Sequence, residues 1–239
     1  RREAAAAAVE ELDADLLAFQ EMETFAGGSF NEENVQLDFL LARFPEYRAA
    51  ATGDPRTYPS TQPILYRASR FEHLDQGFFF YSETPDEIYS RSWDGRFPAY
   101  TSWARLRDRS SGETFLVYNS HFDAGSAGNR RKAARLVVDR LDSRAYPNDP
   151  VIVLGDFNAP WFFPTLRILR RAELHRAPVR GPTYHFNRGL GLIPGIDHIL
   201  GSAEVSFDEA FRLRDRYDGR YPSDHYPVHA QVHLLRADR

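Results

Sequence analysis

The stretch VIVLGDFNAP (151–160) runs four apolar residues into a glycine. It then sets a carboxylate, Asp156, and a carboxamide, Asn158, two positions apart. Four other segments share the plan of an apolar run meeting groups that can coordinate a cation or move a proton. They are Gln20–Glu21 after LLAF, Asn119 and His121 in LVYNSHFD, Asp197 in GIDHIL, and Asp224–His225 in PSDHYPV. Carboxylates are ligands for hard dications. A carboxylate or imidazole held rigidly can also take or give a proton. Strand ends suit both tasks, because the sheet fixes the backbone while loops leave side chains accessible. Taken singly, each segment has a plainer account. Gly-Asp-x-Asn can be a turn, since Asp and Asn bond their own backbone there. Ser-Asp-His can be a cap, Glu21 a solvated strand end, and His121 an interior histidine. Asp197 resists such an account. An acid between Ile196 and the HIL run costs on the order of several kcal/mol when desolvated, unless a partner holds it.

Helices and strands are needed to bring these residues together. Residues 3 to 14 are rich in alanine and glutamate and predict a helix. A short strand over 16–19 follows, then a helix over 33–43 stopped before Pro45. PILYRASRF and GFFFYSE are expected strands. SWARLRD and TFLVYNSHFD, joined by RSSGE, predict a hairpin. Residues 127–142 carry Ala133, Leu136, Val137 and Leu141 on one helical face. After the strand at 151–154, a short helix is expected over 162–172 and a strand at GIDHIL; EVSFDEAF stays unassigned. The alternation of Val228, Ala230, Val232 and Leu234 predicts a final strand. No repeat and no linker interrupts the chain, so one mixed α/β domain over 1–239 is expected.

The chain has 239 residues, 42% of them hydrophobic, enough for one large core. A formal net charge of −4 advertises no strong nonspecific grip on nucleic acid. Without cysteine, neither disulfides nor thiolate metal sites hold the fold. No apolar run approaches the ~20 residues of a membrane span. The first residue is Arg1 and the only methionine is Met22, so a segment upstream is expected. The compartment, cytoplasmic or exported, is open.

In this order, LLAFQE, YNSHFDAGS with Arg130 following, VIVLGDFNAP, GIDHIL and PSDHYPV resemble the successive motifs of the endonuclease/exonuclease/phosphatase family over roughly residues 10–234. SETPD, RSWDG and SWARLRD further resemble a bacterial branch of it. The resemblance implies a four-layer sandwich, two packed mixed β-sheets flanked by helices. It implies a first strand missing before the opening helix. It also implies a phosphoesterase that depends on Mg²⁺ or Mn²⁺, acting as a monomer on a phosphorylated small molecule or a nucleic acid. Hydrolysis of a phosphate ester needs charge stabilisation, an activated water and help for the leaving oxygen. Glu21 is expected to hold the metal, with Asp224 close by. Asp156 is the expected general base, and Asn158 its orienter or a donor to phosphate. Asp197 and His225 are expected to form a dyad that keeps the imidazole protonated. His121 is placed to donate to the phosphate or leaving oxygen. Asn119, Arg130 and Trp161 are expected to position or meet the substrate. Tyr58, Trp93, Trp103 and Phe162 are further aromatics that could wall a pocket. No Asp or Glu lies between Asp54 and Glu72, where some relatives carry an acid that supports the histidine matching His121. Two alternatives compete: a dedicated DNA or RNA nuclease, and a non-catalytic module that retained the fold to bind a phosphorylated ligand.

Overall fold

The computed structural model describes residues 1–22, 34–91, 93–95 and 97–235. Helix α1 (Arg2–Leu12) buries Ala4, Ala6, Ala8 and Val9 and ends on Asp13 in a left-handed cap. Strand β1 (Leu16–Ala18) follows, and α2 (Val35–Arg43) is capped by the side chain of Asn34. The expected helix start at residue 33 lies outside the described residues. Strands β2 (Tyr47–Ala50), β3 (Ile64–Arg67), β4 (Phe71–Phe80), β5 (Tyr100–Asp108) and β6 (Thr114–His121) come next. Helix α3 spans Ala127–Asp142, with Ser126 accepting from the Asn129 amide as its N-cap. Strand β7 (Val151–Asp156) leads to α4 (Pro164–Arg171), which starts on a proline. Strands β8 (His175–Arg176), β9 (Asp197–Gly201), β10 (Val205–Arg212) and β11 (Val228–Leu234) complete the chain. EVSFDEAF, left open above, is the body of β10. Strands β2 and β8 carry no clear sequence signal.

One sheet has six strands in the order β4-β5-β6-β7-β9-β8, with β6 and β7 parallel and the other neighbours antiparallel. Facing it are a three-stranded sheet, β1-β3-β2, and the β10-β11 pair. Period-2 alternation divides the buried residues between two layers. On β6 and β7, Phe115, Val117 and Ile152 face inward, meeting Ala50 and Ile64 of the smaller sheet and Val205 of β10. Leu116, Tyr118, Val151 and Val153 face outward and are covered by α3 and α4 through Ala133, Val137, Leu166 and Leu169. Covered on both faces, β7 reads as a continuous apolar run. Helices α1 and α2 cover the other side of the three-stranded sheet through Ala6, Val9, Leu37 and Leu40 packed on Tyr47 and Leu65. The result is the expected four layers, with the second sheet divided in two. No helix among the described residues is long and apolar enough to cross a membrane.

Candidate active site

Register brings the polar strand ends together. The parallel pairing of β6 and β7 sets His121 opposite Asp156, and the antiparallel pairing of β7 and β9 sets Asp156 opposite Asp197. Alternation places all three on the inward side of the six-stranded sheet, at the end of the core between the sheets. From the other sheet, the end of β1 delivers Glu21, whose Oε1 lies 3.5 Å from His121 Nε2.

The GDFN turn is built from its own residues. Gly155 has φ +135°, and a Cβ there would lie 1.9 Å from the Ser120 carbonyl oxygen, so only glycine lets β7 approach β6 this closely. The Asn158 backbone N–H donates to Asp156 Oδ1 at 2.7 Å, and the Asn158 side-chain amide donates to the Phe122 carbonyl at 2.8 Å. Asn158 adopts the left-handed region at φ 48°, which suits asparagine. Phe157 is fully buried against Phe122 and His198. The turn account of this motif holds, and it leaves the site account open to Asp156. One oxygen of Asp156 is fixed by the turn. The other, Oδ2, faces His121 Nε2 at 3.8 Å and His225 Nε2 at 3.9 Å. Both gaps exceed a direct hydrogen bond.

Two carboxylates directly across a sheet repel each other. His225 lies between them. Its Nδ1 bonds Asp197 at 2.9 Å while its Nε2 turns to Asp156. Burial works against a charged imidazole. The hydrogen bond and charge of Asp197, with Asp156 and Asp224 adding to it, outweigh burial and raise the His225 pKa to about 9. Burial, and then the charge of Asp197, push Asp156 well above the usual carboxylate range. Burial also lowers the His121 pKa, with Glu21 opposing it. Glu21, 3.5 Å from His121, also takes a left-handed backbone, at φ 54°.

The remaining expected residues take other places. Asn119 is fully buried, and its amide donates to the carbonyls of Phe19, Gln62 and Pro63 while its oxygen accepts from Gln20. It ties β1 to β6, a place that suits the positioning half of its expectation. Arg130 Nη1 donates to the carbonyls of Asp123 and Ala124, and its buried Nε has no partner. Trp161 packs on His198, with Arg170 and Arg176 over its ring. Trp103 covers Gly77, and Tyr58 bonds the Gly77 carbonyl, so both belong to packing. Asp224 takes a bond from the Ser223 hydroxyl, and its backbone carbonyl accepts from the His185 N–H.

Three contributors escaped the sequence reading. Thr183 Oγ1 accepts from the N–H groups of Ile196 and Asp197 and fixes the start of β9. The Tyr184 ring lies 4.8 Å from that of His225. His198 bonds the Ala159 carbonyl at 3.0 Å, under the GDFNAP turn. Burial lowers the His198 pKa to about 4, so it is a neutral structural histidine. A lone Thr, Tyr or His within a motif gives no spacing to find it by. The HIL run was legible only as strand.

Ligand atoms of Asp156, Asp197 and His225 all lie within 4.8 Å of one another. Glu21 and Asp224 stand outside that cluster. The donor set is mostly carboxylate oxygen, and a cation would offset the repulsion between the paired carboxylates of Asp156 and Asp197. Both observations fit a hard divalent ion.

Among curated protein sequences, none matches this chain. Solved structures do. A mannosyl-6-phosphatase of Bacteroides thetaiotaomicron is 26% identical with a TM-score of 0.83, over 98% of this chain and 91% of that one. An endonuclease/exonuclease/phosphatase protein of Bacteroides vulgatus is 24% identical with a TM-score of 0.82, over 98% and 90%. D. rerio TDP2, solved with a single-strand DNA product, shares the fold at 17% identity and a TM-score of 0.74, over 98% and 91%. The model of one family, whose members are phosphoester hydrolases that generally use divalent metals, matches residues 1–225. The chain belongs to the endonuclease/exonuclease/phosphatase family.

Proposed function

We propose that the chain is a divalent-metal-dependent phosphoesterase in which Asp156 activates the attacking water. The observation that carries this reading is the arrangement around Asp156. One oxygen is anchored by the Asn158 N–H, and the other is presented to two imidazoles at distances that leave room for a reacting group. Asp156 Oδ2 accepts the proton of water. His225, kept charged by Asp197, donates to a phosphoryl oxygen and stabilises charge as it builds in the transition state. His121, whose pKa burial lowers, sits across from it to donate to a second oxygen or to the leaving group. Glu21 and Asp224, whose charges reach Asp156 and His225, would hold Mg²⁺ or Mn²⁺ against the cluster of Asp156, Asp197 and His225. The ion, when bound, supplies Lewis-acid stabilisation of the phosphoryl charge.

The mannosyl-6-phosphatase relative puts sugar phosphates first among substrates to try. The purified chain should hydrolyse p-nitrophenyl phosphate or its bis ester with Mn²⁺ or Mg²⁺ and stop on chelation. A panel of hexose 6-phosphates and oligonucleotides then ranks substrates. Asp156→Asn and His225→Ala should each lower turnover at least ~10²-fold. Full activity in both variants would sink the mechanism. Absence of both turnover and metal binding by calorimetry would favour the non-catalytic module.

A further inference from the structure

Among the described residues, five of the nine exposed large hydrophobic side chains fall within 162–192: Phe162, Phe163, Phe186, Leu190 and Leu192. Leu192 is 70% exposed and Phe162 is 62% exposed. The stretch that carries them, 161–195, holds Arg167, Arg170, Arg171, Arg176, Arg180 and Arg188 against a single acid, Glu173. It is strongly basic in a chain whose formal net charge is −4.

This charge and apolar surface meet at the catalytic edge. The Phe157 N–H bonds the Ile196 carbonyl at 3.1 Å, joining the residue after β7 to the residue before β9. The turn leading to Phe162 and the loop carrying Leu190 and Leu192 therefore join the sheet at neighbouring points, next to Asp156 and Asp197. Phe186 packs on Tyr184, which in turn lies against His225. Helix α4 begins behind Phe163 and points Arg167, Arg170 and Arg171 into solvent while burying Leu166 and Leu169.

Apolar side chains held out in water next to unopposed arginines mark a binding face. Single-stranded nucleic acid would use the arginines and phenylalanines. It has no use for Leu190 and Leu192, which lack a ring to stack and stand in a glycine-rich loop. Aliphatic tips with a basic surround match the headgroup region of an anionic bilayer. We propose that this edge docks peripherally on an anionic lipid surface, with Phe162, Leu190 and Leu192 entering the headgroup layer and the arginines meeting its charge. The docking stands independently of the reaction catalysed.

The test is co-sedimentation with phosphatidylcholine vesicles, with and without phosphatidylglycerol, at low and high salt. The wild-type chain should pellet with the anionic vesicles and release in high salt. Leu190→Ser combined with Leu192→Ser should weaken partitioning ~10-fold or more. Arg171→Glu should weaken it by at least about fivefold. Both variants should keep the wild-type thermal transition and wild-type turnover of soluble p-nitrophenyl phosphate. Failure to pellet with anionic vesicles, or equal pelleting of wild type and both variants, overturns the proposal. Two other results also overturn it: variant-sensitive binding to single-stranded DNA without vesicle binding, and a variant-sensitive dimer by light scattering without vesicle binding. Partitioning is read without turnover, so its failure leaves the phosphoesterase reading intact, and the reverse holds too.

Discussion

At Gly155 the chain passes the Ser120 carbonyl with no space for a side chain, and the next residue is the proposed base. Gly155→Ala should therefore lower stability by at least about 2 kcal/mol and reduce turnover by displacing Asp156. Urea unfolding and a soluble-ester assay measure the two effects, and an unchanged midpoint would contradict the packing described. The residues of this motif were legible because polar groups follow an apolar run with no spacer. Asp197 was legible for a related reason, since an acid against a core strand needs a partner, and His225 is that partner at 2.9 Å. Tyr184 and His198 were not legible. Each acts through a ring contact or a single backbone bond made only after distant segments meet.

Asn119 is one of the buried amides, with Gln62, that hold elements of opposite sheets together near the site. Asn119 on β6 bonds the Phe19 carbonyl and the Gln20 side chain just ahead of Glu21. Its removal leaves the Phe19 carbonyl without this donor and the Gln20 amide without its acceptor, while the Gln62 and Pro63 carbonyls keep the Ser102 hydroxyl and the Phe19 N–H, at a cost of about 1–3 kcal/mol. Asn119→Ala should thus destabilise the fold by at least that much. It should also raise the Mn²⁺ concentration needed for half-maximal turnover, because Glu21 loses its anchor. A metal titration against wild type checks this, and an unchanged midpoint would detach Asn119 from the metal site. The elements were legible where they are long: α3 matches its expected span of 127–142. The four residues of β2 and the two of β8 form by pairing with β3 and β9, and no local pattern announces them. Alternation put Asn119 and His121 on one face. Which of them would meet substrate depended on the approach of β1, which periodicity does not encode.

For the molecule as a whole, hairpin signals and apolar strands announced a mixed α/β domain, and the family resemblance implied the two-sheet sandwich. The split of the second sheet was not announced, because the bulge in β10 and the pairing of its partner are set late in the chain. The end of the six-stranded sheet away from the site is held by Asp108. Its carboxylate accepts from Arg70 Nη2 at 2.9 Å and from the Ser110 hydroxyl at 2.6 Å. Burial opposes its charge, but the Ser110 and Arg70 bonds outweigh that and lower its pKa to about 2. The stabilisation is complete above the ordinary aspartate pKa of ~3.9 and fades as pH falls toward the folded value, a contribution of about 1–2 kcal/mol. Asp108→Asn should be less stable than wild type by that amount at neutral pH, with the gap closing near pH 2. Denaturation at both pH values decides it, and a gap that persists in acid would contradict the ion pair. Glu21 follows β1, whereas His225 precedes β11, so the two halves of the reactive constellation stand about two hundred residues apart in sequence. A nascent copy on the ribosome consequently has no complete constellation until every residue from Glu21 to His225 has been made and the two sheets have met.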